Sequence, residues 1–128
     1  MKSYTMSKRS LDNLRGVHPY LVYIARRALF LSEVDFVVTE GVRDIERQRY
    51  LLAQGDSWTL KSKHLLQDDD FGHAIDVAAW VDGDVSWEFE DYEKIAESFQ
   101  LAAADIGVDI TWGGEWKSKD GPHFEIHL

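Results

Sequence analysis

His73-Ala74-Ile75-Asp76-Val77-Ala78-Ala79-Trp80-Val81, followed by Asp82-Gly83-Asp84, is the stretch on which the fold turns. Ile75, Val77 and Ala79 alternate with Asp76 and the residues beyond it, the period of a strand with one apolar face. Asp82-Gly83-Asp84 reads as a hairpin turn, returning the chain into a short strand over 85–87. Two further strands, Ile110-Thr111-Trp112 and His123-Phe124-Glu125-Ile126-His127, are predicted around a Gly113-Gly114 turn. Upstream the period changes. Ser10 is the expected N-cap of a short helical turn over 10–14, and Pro19 opens a helix through Leu31 with apolar positions 21, 24, 25, 28 and 31. Val34-Asp35-Phe36-Val37-Val38-Thr39 is a β-branched strand broken by Gly41. Asp44 then opens a helix from Ile45 to Gln54, stopped by Gly55, and Tyr92 to Ile106 forms a last helix ended by Gly107. Helices followed by a small antiparallel sheet define an α+β class.

With 128 residues and 45% hydrophobic content, the chain is expected to form one domain over 1–128 with a real core. No repeat, low-complexity tract or linker interrupts it. It has no cysteine, which removes disulfides, thiolate metal sites and thiol nucleophiles. The N-terminus lacks an apolar run after its positive charges, so no signal peptide is expected, and no stretch is apolar for the roughly 18 residues of a membrane span. The net charge of −9 argues against nucleic acid as a partner, because phosphate backbones are held by clustered Lys and Arg. The basic residues concentrate in the first half and the acids after Asp68, an asymmetry more typical of ordinary surface than of a built field.

Several polar residues call for chemistry. His64, Asp76 and His123 offer two imidazoles and a carboxylate, a donor set suited to Zn²⁺ that leaves a fourth position for water. Asp120, three residues before His123, is the candidate general base. Each has a blander reading: His64 as a solvated loop histidine, Asp76 facing solvent, His123 as a strand-edge histidine. His73 is a rival ligand, although its parity sets it on the face opposite Asp76. Arg43, at a strand-to-helix junction, can bind a carboxylate or an oxyanion, or pair with Glu40, Asp44 or Glu46. Trp112, Trp116 and Phe124 either wall a cleft or belong to the core, with core favoured for Trp112. The loop from Asp56 to Gly72 is long enough to suggest function.

Taken together, Thr39-Glu40-Gly41-Val42-Arg43-Asp44-Ile45-Glu46-Arg47-Gln48, Ser62-Lys63-His64, Gly72-His73-Ala74-Ile75-Asp76, Trp112-Gly113-Gly114-Glu115-Trp116 and Asp120-Gly121-Pro122-His123-Phe124-Glu125 resemble the phage endolysins of the M15 metallopeptidase family. These are L-alanyl-D-glutamate (VanY-like) endopeptidases with a Hedgehog/D-Ala-D-Ala-peptidase fold, and the resemblance runs from about Ser10 to the C-terminus. It implies zinc on His64, Asp76 and His123, Asp120 as general base, Arg43 on substrate or tetrahedral intermediate, and Ser62 as a substrate contact; Trp116 joins the substrate side. Leu65-Leu66-Gln67-Asp68-Asp69-Asp70-Phe71 make the loop after His64 five residues longer than the family's short motif. The Asp68-Asp69-Asp70 run could take Ca²⁺ through oxygen ligands, but a solvated acidic loop is the favoured reading.

The implied biology is a monomeric lytic enzyme cutting the stem peptide of peptidoglycan. It would accumulate in the host cytoplasm and reach the wall when a holin opens the membrane, with no membrane insertion of its own. Two rivals remain: a D,D- or L,D-carboxypeptidase of the same fold, and a catalytically silent wall-binding module with structural zinc. Reaction products separate all three.

Overall fold

The computed structural model describes residues 3–55 and 61–128. Four α-helices and five strands follow in the order α1 (Lys8–Asn13), α2 (Pro19–Leu31), β1 (Asp35–Glu40), α3 (Ile45–Ala53), β2 (Ala74–Val81), β3 (Asp84–Ser86), α4 (Phe89–Asp105), β4 (Asp109–Trp112) and β5 (His123–His127), with a 3₁₀ turn over Gly113–Glu115. Every strand pairing is antiparallel, in the order β1-β2-β5-β4. The α+β architecture with a small antiparallel sheet is therefore the observed one.

The strand β2 organises the sheet. One edge pairs along its length with β1; the other is shared in tandem, with β5 on Ala74–Asp76 and β3 on Ala79–Val81. The β2–β3 hairpin is tight because Asp82 and Gly83 both take positive φ (53° and 80°), the Asp-Gly signature of a two-residue primed turn. Ile75, Val77 and Ala79 join Phe36, Val38, Phe124 and Ile126 on one sheet face, and the inner faces of α2 and α4 close over them in one core cluster. Phe99 of α4 stacks on Phe124 with ring centroids 3.9 Å apart. Tyr92 ties α4 to the hairpin: its hydroxyl donates to Ser86 O (2.8 Å) and accepts from Ala79 N–H (3.1 Å).

Some boundaries differ from the sequence reading, each for a reason visible in the packing. The N-cap of α1 is Ser7, whose hydroxyl accepts from Ser10 N–H. Ser10 lies inside the helix, buried, and its Oγ accepts from Val38 N–H (2.9 Å), a bond to the sheet that no local pattern reveals. The helix α4 begins a full turn earlier than Tyr92, at Phe89, with Glu90 and Asp91 in its first turn where the helix dipole favours acids. Trp112 and His123 are joined by the 3₁₀ turn and a further loop, a longer path than a Gly113-Gly114 turn. Of the long loop, 56–60 lie outside the described residues; the remainder is held by Gly72, which bridges both Val17 and Leu66.

Candidate metal centre and active site

The face of β2 opposite the core carries Asp76, and sheet register delivers its neighbours. Asp76 pairs directly with His123 of β5, so both side chains rise from the same face on adjacent strands. On the other side a register shift between Val38 and Glu40 brings Glu40 opposite Asp76. Strict alternation would have turned residue 40 towards the core with Val38; the bulge re-aims it into the site.

His64 arrives from the loop, fastened by backbone. Its carbonyl accepts from Arg43 N–H (2.8 Å), its N–H donates to Ser62 Oγ (3.1 Å), and the neighbouring Lys63 carbonyl accepts from His73 N–H (2.8 Å). The ring Nδ1 lies 2.9 Å from Gly41 O. A carbonyl can only accept, so this nitrogen carries the proton and Nε2 faces the centre with its lone pair. A Cβ on Gly41 would stand 2.0 Å from Asn13 O, so only glycine allows the backbone to pass there and support His64.

At the centre, Asp76 Oδ1 is 3.3 Å from His64 Nε2 and 3.2 Å from His123 Nδ1. Among the described residues His64, Asp76 and His123 form the one group of metal-ligating side chains of its kind, with ligand atoms within 4.8 Å of one another. Both histidines are buried. Lone pairs of two imidazoles converging on a carboxylate oxygen repel unless a cation stands between them, and a divalent ion meets that need. The donor set fits a metal.

Without a metal, protons take that role. Burial alone would lower the His123 pKa, but hydrogen bonds to Asp76 and Glu125 outweigh it and raise it to about 9. Burial likewise disfavours the Asp76 carboxylate, yet the two histidines hold its pKa well below the usual range. A raised histidine contributes stability fully present below its unfolded value of 6.5 and lost as pH rises through about 9. In chelator the unfolding midpoint should therefore fall between those pH values, while the increment gained on adding a divalent metal that the site binds should grow, because protons no longer compete for the ligand. Thermal melts with and without chelator across that window check this; two flat, parallel curves would refute it.

Arg43 is almost entirely buried, with its guanidinium organised by three partners. Nε and Nη2 donate to the two Glu40 carboxylate oxygens (2.8 Å each), Nη1 donates to Gln48 Oε1 (2.8 Å), and Nη2 lies 3.7 Å from Asp76 Oδ2. Of the partners the sequence offered, Arg43 takes Glu40, and the pair is buried beside Asp76. Asp120 sits in the same field: burial, then the Asp76 charge, raise its pKa, while His123, His64 and Arg43 pull it down. Its backbone N–H donates to Gly113 O (2.9 Å), and its carbonyl accepts from His123 N–H (3.2 Å). Trp116 lies against the His123 ring, centroids 5.0 Å apart, and forms a wall of the site. Trp112 packs on the core and donates from Nε1 to Gly121 O (2.7 Å), bracing the loop that carries Asp120, and Phe124 is fully buried in the core.

The remaining candidates fall elsewhere. Ser62 spends a lone pair on His64 N–H, so its visible contact is to a proposed ligand's backbone. His73 bonds Asp69 Oδ2 (2.7 Å) beside the His18 ring and stands outside the ligand group. Asp69 also accepts from Phe71 N–H, so the Asp68-Asp69-Asp70 run includes a loop latch and forms no metal-ligating group among the described residues. Sequence reasoning gave no role to Glu125, which accepts from His123 Nε2 at 2.9 Å, or to Gln48, which is fully buried against Arg43. For Glu125 a signal existed, because it shares strand parity with His123.

The chain is similar to known proteins over nearly its whole length. The family model described as phage L-alanyl-D-glutamate peptidase matches residues 2–127. The L-alanyl-D-glutamate peptidase of Escherichia phage T5 is 32% identical over 97% of this chain and 90% of its own length. That of Listeria phage A118 is 30% identical over 99% of this chain, which spans only 43% of that longer protein. Among solved structures, the crystal structure of the Serratia marcescens L-Ala D-Glu endopeptidase is similar, with a TM-score of 0.88, 47% identity, and coverage of 98% of this chain and 92% of that one.

Proposed function

Because the chain belongs to the phage L-alanyl-D-glutamate peptidase family, we propose that it is a zinc-dependent endolysin, hydrolysing the L-Ala–D-Glu bond of the peptidoglycan stem peptide. The observation that carries the reading is the convergence of His64, Asp76 and His123 on one point, with Asp120 in the same field. Two imidazoles with one carboxylate favour zinc over the hard, all-oxygen cations. Bound there, the ion would acidify a water and polarise the scissile carbonyl.

The chain's own residues do the rest. Asp120, with its carboxyl raised towards neutrality by burial and by Asp76, accepts the proton of the attacking water and delivers it to the leaving amine. Arg43, locked by Glu40 and Gln48, faces the developing oxyanion with little reorganisation left to make. Trp116 and Ser62 line the substrate side. The single domain acts as a monomer, accumulates in the host cytoplasm and depends on a holin to reach the wall. No helix among the described residues is long and apolar enough to cross a membrane.

Mass spectrometry of the soluble products released from purified peptidoglycan by the zinc-loaded protein tests the reading. New N-terminal D-glutamate on the fragments is the expected result. Loss of terminal D-alanine alone would make the protein a carboxypeptidase, and binding without release would make it a wall-binding module; either overturns the proposal.

A further inference from the structure

The two histidines meet the centre through different nitrogens, and different partners set this. His64 is oriented by a backbone carbonyl, that of Gly41. His123 is oriented by a side chain. Residues 123 and 125 lie on the same face of β5, and Glu125 Oε1 stands 2.9 Å from His123 Nε2. Both ring nitrogens face a carboxylate, Nδ1 that of Asp76 at 3.2 Å and Nε2 that of Glu125. When a cation on the Asp76 side takes the place of the Nδ1 proton, Glu125 holds the remaining hydrogen on Nε2 and leaves the Nδ1 lone pair for the ion. The other Glu125 oxygen lies 3.7 Å from His127 Nε2. A carboxylate behind a ligating imidazole also increases its basicity, strengthening the bond it makes to a metal.

We propose that Glu125 is a positioning residue of the metal centre, fixing the His123 tautomer that presents Nδ1 to the ion. This rests on the zinc-peptidase reading above and adds to it a residue to which neither the motif nor the composition assigned a role. The role needs an acceptor at position 125 more than it needs a charge. Glutamine, whose Oε1 accepts the same hydrogen bond, should keep much of it, whereas alanine should lose it.

Zinc affinity of the full chain, read by competition with a chromophoric chelator, is the primary test, with wild type, E125Q and E125A compared. E125A should bind zinc about 10–100-fold more weakly, the usual effect of removing such a partner, and E125Q should lie closer to wild type. Nitrogen-15 spectra of the histidine rings in zinc-loaded wild type should show the His123 proton on Nε2, a readout that survives even if E125A fails to fold. Wild-type affinity in E125A, or a His123 proton on Nδ1, overturns the proposal. A folded wild type that takes up no zinc would instead overturn the underlying reading, and that failure appears before any variant is made.

Discussion

Asp120→Asn is expected to leave the protein folded and zinc-loaded while lowering peptidoglycan hydrolysis by about 10²–10⁴-fold, the range for removal of a positioned general base. The expectation follows from where the carboxylate sits. It is raised by burial and by the Asp76 charge, so its proton affinity is moved towards the pH at which a base is most useful. Asparagine keeps the shape and cannot take a proton. The backbone that holds residue 120, through Gly113 O and His123 N–H, does not depend on its side chain. Metal content measured alongside turnover separates the roles. Zinc retained with activity lost supports the base; zinc retained with activity intact removes Asp120 from the mechanism.

Asp76→Ala should do more, abolishing zinc binding and with it detectable hydrolysis. The carboxylate is the common partner of both histidines, at 3.3 and 3.2 Å, and lies 3.7 Å from Arg43 Nη2. Its loss leaves two imidazoles beside a guanidinium, without the carboxylate oxygen on which both rings converge. A ligand that binds only the folded state raises stability by about 2.7 kcal/mol at one hundred times its dissociation constant. Wild type should therefore show a rise in unfolding midpoint when zinc replaces chelator, and Asp76→Ala should show none. A full zinc complement in that variant would refute the ligand assignment.

Much of the architecture is written in local pattern. Alternation identifies β2 and β5, Asp82-Gly83 announces the hairpin, and Pro19 with its 3.6-residue apolar spacing marks α2, because backbone sterics and one-sided burial act within a few residues. The order of the short motifs likewise pointed to His64, Asp76 and His123 as one group before any of them could be placed in space. Parity alone separated His73 from Asp76, and the structure sets His73 against Asp69.

Other features were decided only by tertiary structure, since they depend on contacts between segments remote in sequence. Ser10 reads as a cap but serves Val38, 28 residues away. Glu40 reaches Asp76 through a bulge that reverses its strand parity, and only that places the partner of Arg43 in the site. Which nitrogen each histidine presents is settled by Gly41 O and Glu125, acceptors that the ligand motif does not name. Residue types and spacing determined which donors this chain possesses and which faces its strands bury. The register of β2 with β5 and the backbone bonds that fasten His64 decided which donors share a centre, because the pairing of distant strands and loops is the one geometry that local sequence does not encode.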